Sequence, residues 1–177
     1  SASDKKHIDR IKTEVVNGTL KVYFDNKGIT WKSNNRRLKA YVSFKTLEKL
    51  DAAAGSQVNV NGTINTGKFV LNVSSGAGFA GAVNATELTA DVSSGAAIKI
   101  TGKADKLIVD ASSGANFKGY DFKVDYCNAS ASSGADIHVT INKELSAKAS
   151  GGADIRYKGT ALIRDLKTSG GGAVKKA

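Results

Sequence analysis

Two carboxylates, Asp91 and Asp110, each stand four residues before the glycine of a Ser-Ser-Gly triplet. Two residues beyond such glycines come Asn116, Asp136 and Asp154, and four residues beyond come Lys99, Lys118, His138 and Arg156. If the glycines mark equivalent points of a repeating unit, these residues form outward columns, with paired carboxylates beside bases. Such columns could hold a sugar chain or a cation, and in the extreme case supply acid and base to a glycosidic bond. The plainer alternative is a solvated outer face. Stacked like charges repel only modestly in water, and a cationic column two positions away offsets part of that cost.

Other reactive residue types offer less. His7 and His138 are the only histidines, and no Cys/His cluster has ligand spacing, so neither a metal nor another cofactor is expected. Cys127 falls in an apolar column with Leu88, Leu107 and Leu145, the place of a buried filler rather than a nucleophile. Trp31, in GITWKSNNRRLKAY, is a candidate aromatic contact for a sugar ring or base; the competing reading packs it with Phe24 over the first repeat. There is no phosphate-binding loop, dinucleotide fingerprint or nucleic-acid module, and no nucleic-acid partner is expected.

The element that must position these residues is the repeat itself. LDAAAGSQVNV, LNVSSGAGFAG, ADVSSGAAIKI, VDASSGANFKG, ASASSGADIHV and AKASGGADIRY align on Gly55, Gly76, Gly95, Gly114, Gly134 and Gly152, at spacings of 18 to 21 residues. LKTSGGGAV supplies a degenerate seventh copy near Gly170. Seven residues before the glycine stand Phe69, Leu88, Leu107, Cys127 and Leu145, and three after it Phe79, Ile98, Phe117, Ile137 and Ile155. Period two runs through both arms, giving each unit an apolar inside and a polar outside.

This pattern predicts an all-β fold, a single-stranded right-handed parallel β-helix with one repeat per coil, its hand following the rule for parallel crossovers. Sandwiches do not require one corner to recur at this period, and neither leucine-rich nor calcium-binding nonapeptide repeats are present. Ser75, Ser94, Ser113 and Ser133 fall on the inward parity and are expected to form a structural serine ladder at the corners, their hydroxyls bonding to corner backbone or to one another. Nothing about a repeated serine marks one copy as a nucleophile.

Before residue 50 the repeat is absent. Asn17-Gly18 lies between alternating segments and Asn26 to Gly28 offers a second tight turn, which together predict an N-terminal β-hairpin cap. The expected organisation is one domain over 1–177, with 1–50 as cap region and 51–177 as coils. Net charge is +10, and the excess is N-terminal, since residues 1–50 carry twelve Lys or Arg against five Asp or Glu. That balance could draw the chain to an anionic partner, yet the cations alternate with core-type residues as on the wet face of a sheet.

The tandem L-x-A-x-x-S-S-G-A-x-I pattern, entered through NGTLKVYF and LKAYVSFKTLEKLDAAAG, resembles the head domain of the "putative auto-transporter adhesin" family, typical of Bacteroidetes cell-envelope proteins, over about residues 10 to 165. The resemblance implies a parallel β-helix, export to the cell envelope and an adhesive role, and it transfers no functional residues. The expectation is therefore a non-enzymatic envelope or adhesion module presenting a rigid repetitive surface to a glycan, another cell-surface polymer or a protein. Its alternative is a carbohydrate-binding or polysaccharide-degrading β-helix using the stacked carboxylates. No apolar run reaches membrane-spanning length, and the solenoid ends offer a route to oligomers. A chain without methionine, even at its first position, suggests a processed or trimmed protein, and the resemblance implies a cell-envelope location, periplasmic or extracellular, after removal of an export signal.

Overall fold

The computed structural model describes residues 1–2, 5–28 and 38–177; Trp31 lies outside them. The chain divides into two compact units, Ser1–Phe44 and Lys45–Ala177.

In the first unit a short 3-10 helix, Lys5–Arg10, leads into an antiparallel hairpin of β1 (Ile11–Val16) and β2 (Thr19–Phe24). The strands pair from Ile11↔Phe24 to Val16↔Thr19 and are joined by Asn17 and Gly18. Both turn residues have positive φ, 51° and 75°, as the mirror-type turn that matches strand twist requires. The next turn signal also holds: Gly28 has φ 70°, and the Lys27 N–H donates to Asp25 Oδ1 at 3.1 Å. Arg10 Nη1 ties the helix end to this turn by donating to the carbonyls of Asp25 and Lys27 at 3.2 and 2.9 Å.

The second unit is a parallel β-solenoid. Its strands are β3 (Lys49–Ala52), β4 (Gln57–Val73), β5 (Gly78–Val92), β6 (Ala97–Ala111), β7 (Asn116–Ala131), β8 (Asp136–Ser150), β9 (Asp154–Gly159), β10 (Leu162–Ser169) and β11 (Ala173–Lys176). Every pairing among them is parallel, in the order β11-β9-β8-β7-β6-β5-β4-β3, with β10 on β8. In β4 to β8 the two arms expected of each coil are one continuous strand. The differences in coil length are absorbed in the strand interiors, where register shifts fall between Asn59 and Thr63, between Lys99 and Gly102, between Gly119 and Lys123 and between Val124 and Tyr126. The corners keep strict register.

Each corner is a four-residue turn closed by one hydrogen bond. The Ala77 N–H donates to the Ser74 carbonyl at 3.1 Å, and Ala96→Ser93, Ala115→Ser112 and Ala135→Ser132 repeat it at 3.2 Å. The central pair, Ser75-Gly76 in the first of these, has φ 53° and 70°, and the same left-handed pair recurs from Ala54-Gly55 to Gly170-Gly171. The corner glycine also bonds up the stack: the N–H groups of Gly76, Gly95 and Gly114 donate to the carbonyls of Ser94, Ser113 and Ser133, each at 3.0 Å.

This geometry corrects the parity assigned to Ser75, Ser94, Ser113 and Ser133. All four are exposed, because two consecutive left-handed residues interrupt the alternation that would have turned them inward. Their part in the ladder is a backbone carbonyl, not a hydroxyl.

The inward columns are buried from Phe69 to Leu145 and from Ala77 to Ile155. Phe69, Phe117 and Phe122 are the largest fully buried side chains, set among alanine columns that keep the coil thin. No buried side chain of the described core is polar or charged, so hydrophobic burial and backbone ladders hold the unit together.

Candidate binding surface

Since the corners stay in register, the outer columns follow directly. Asp51, Asn72, Asp91, Asp110, Ser130 and Lys148 are consecutive ladder partners before the corner. Asn72 Nδ2 donates to Asp51 Oδ1 at 2.7 Å. The nearby ion pairs, Lys49–Asp51 at 3.2 Å and Lys167–Asp165 at 3.3 Å, leave Asp91 and Asp110 without a cationic partner among the described residues. Partial burial, and then the neighbouring Asp91 charge, push the Asp110 carboxyl above its ordinary range.

After the corner, Asn116, Asp136 and Asp154 are ladder partners, as are Lys99, Lys118, His138 and Arg156, with Lys175 extending the second column. Arg156 Nη2 lies 3.7 Å from Asp154 Oδ2. His138 stacks on Tyr120 with ring centroids 4.8 Å apart and planes 1° from parallel, and Lys158 Nζ lies 4.4 Å from the Tyr120 centroid. Burial lowers the His138 pKa, helped by Arg156 and Lys118 and opposed by Asp136 and Asp154. Tyr120 and Lys158 were not singled out by sequence, although both stand six residues after a corner glycine.

A third set of outer residues, also not foreseen, alternates in sign. Lys68, Glu87 and Lys106 are successive partners, and Lys106 Nζ sits 3.2 Å from Glu87 Oε2. Farther up, Arg164 Nη2 donates to Glu144 Oε1 at 2.6 Å, and Lys143 Nζ lies 2.7 Å from Asp125 Oδ2. The Arg164 hydrogen bond holds the Glu144 carboxyl below its usual range, as Lys143 does for Asp125. Lys106, Tyr126, Cys127, Asn128, Glu144 and Ser146 line a depression of about 260 Å³. Burial pushes the Cys127 thiol up to about 12. At neutral pH that sulfur is protonated, and it fills a core column as expected.

Among the described residues no group of three His, Cys, Asp or Glu is placed to hold a metal ion, and no helix is long and apolar enough to cross a membrane. The structure brings the carboxylates and bases into columns as the spacing implied. It pairs Asp154 with Arg156 within these columns.

Solved structures share this architecture. A "putative adhesin" from Bacteroides fragilis NCTC 9343 superposes with a TM-score of 0.85 at 17% identity, covering 96% of this chain and 78% of that one. A "putative adhesin" from Parabacteroides merdae ATCC 43184 gives 0.61 at 15% identity, covering 98% and 80%. A "putative lipid binding protein" from Parabacteroides distasonis ATCC 8503 gives 0.62 at 18%, covering 98% and 81%. At such identities the likeness is one of fold. No curated protein matches the sequence. The family described as "Putative auto-transporter adhesin, head GIN domain" matches residues 2–161, nearly the whole chain, and the protein belongs to that family.

Proposed function

We propose that the chain is a non-enzymatic adhesion module of the cell envelope, displayed in the periplasm or outside the cell, which makes contact through the outer columns of its solenoid. The observation that carries this reading is the register kept by the outward columns beside the corners over successive coils. A parallel ladder fixes each column at about 4.8 Å per rung, so a repetitive partner meets a repetitive, preorganised surface. Membership of an adhesin family supports the same reading.

The test is direct binding of the purified chain to a panel of glycans, extracellular-matrix proteins and cell-surface polymers. Saturable binding to at least one class, reduced by substitutions in the outer columns, is the expected result. Binding to none of them contradicts the proposal.

A further inference from the structure

Two of the outer columns contrast in their electrostatics. Lys68, Glu87 and Lys106 alternate in sign, and Lys106 pairs with Glu87, so most of that column's charge is neutralised from within. The column of Lys99, Lys118, His138, Arg156 and Lys175 does the opposite. It places bases on five consecutive rungs, a line about 19 Å long at the strand spacing. Like charges aligned on a ladder destabilise the fold that carries them.

Lys158 thickens this stripe from the adjoining position, and Tyr120 holds both Lys158 and His138 against its ring. Two stripe members are thereby ordered before any ligand arrives, which lowers the entropy cost of binding. Asp136 and Asp154 lie alongside, so five permanent cations, Lys99, Lys118, Arg156, Lys158 and Lys175, face two carboxylates. Asn116, on the same flank, offers an uncharged amide to hydroxyl groups.

We infer that this stripe binds a linear anionic polysaccharide laid along the solenoid axis, roughly one acidic sugar to a rung. A sugar residue is about as long as one rung, so carboxylates or sulfates carried once per sugar meet the cations in step. Duplex DNA fits poorly, with one charge per about 1.7 Å of axis. Single strands are held largely by stacking on free aromatic faces, and the Tyr120 ring is already engaged. The inference rests on the adhesion reading and names the partner class of one of its surfaces.

The whole chain is titrated at low salt with polygalacturonate, dextran sulfate, neutral dextran and an oligothymidine strand. One or both anionic polysaccharides bind, the carboxylated and sulfated arms identifying the preferred acid, and affinity falls as salt rises. Neutral dextran does not bind. Lys118→Glu with Arg156→Glu weakens binding roughly tenfold or more, as expected for two exposed charges reversed. The Lys118→Gln and Arg156→Gln pair, checked by circular dichroism, guards against misfolding.

Neither anionic polysaccharide binding at low salt, equal binding to neutral dextran, or no loss in the stripe variants would overturn the inference. So would equal affinity for oligothymidine, or self-association through the stripe without polymer binding. Adhesion to the glycan and matrix panel that survives the stripe variants would overturn the stripe alone. Polymer binding without adhesion to any surface would instead sink the adhesive reading.

Discussion

Asp110 is the ladder partner of Asp91 on the next coil, and no cation among the described residues pairs with either carboxylate. Partial burial, and then the Asp91 charge, make the folded state hold the Asp110 proton more tightly than the unfolded chain does. A raised folded pKa gives a stability contribution that is fully present below the unfolded value near 3.8 and is lost as pH rises through the folded value. Asp110→Asn should accordingly stabilise the protein at neutral pH, by less than about 1 kcal/mol because the group is exposed. Thermal melts should show the gain at neutral pH and its disappearance below the unfolded value; an equal gain at both would remove the electrostatic cause.

The corners predict an unusual tolerance. Ser94 sits at φ 54°, a conformation costing an ordinary residue about 1–2 kcal/mol, whereas glycine adopts it freely. Ser94→Gly should leave stability within about 1 kcal/mol of the parent, as Gly151 already occupies the equivalent corner position. Ser94→Val should destabilise clearly, since a β-branched residue is least suited to positive φ. Urea melts that rank the two variants the other way would contradict the assigned backbone.

Two other glycines separate strain from clash. Gly95 has φ 70° with open space where a Cβ would stand, so Gly95→Ala should cost about 1–2 kcal/mol through backbone strain alone. Gly102 has φ 109°, and a Cβ there would run into the Val83 carbonyl oxygen of the neighbouring coil. Gly102→Ala should be the more damaging of the pair. Equal midpoints in denaturant would contradict the mid-coil geometry.

The core makes its own prediction. Phe117 is 0% exposed, and Phe117→Ala should cost about 3–5 kcal/mol. Cys127, 3% exposed and with its thiol pushed up, should resist alkylation by iodoacetamide in the native protein and react after denaturation. Rapid native labelling would place the sulfur outside the core.

Much of this architecture is written in the spacing of the corner glycines. A parallel ladder converts a sequence period into a spatial column, which is why Asp91 with Asp110, and Lys118 with His138, can be paired from sequence. The corner serines were less legible. Ser-Gly fixes that a turn occurs there, but the side-chain direction depends on both central residues being left-handed, and a period-two count does not register that. Tyr120 shows a second limit. It lies where the register between coils shifts, and its stacking on His138 arises from that irregular stretch rather than from a column. The helix at Lys5–Arg10 is too short to carry a periodic signal.

The proposed adhesive role is tested most directly by retention of beads coated with the whole chain on surfaces bearing glycans, matrix proteins or cell-surface polymers under flow. Beads carrying the parent chain should be retained on at least one surface, and beads carrying outer-column variants should detach sooner. Retention no better than albumin-coated beads on every surface would contradict an adhesive role for this solenoid.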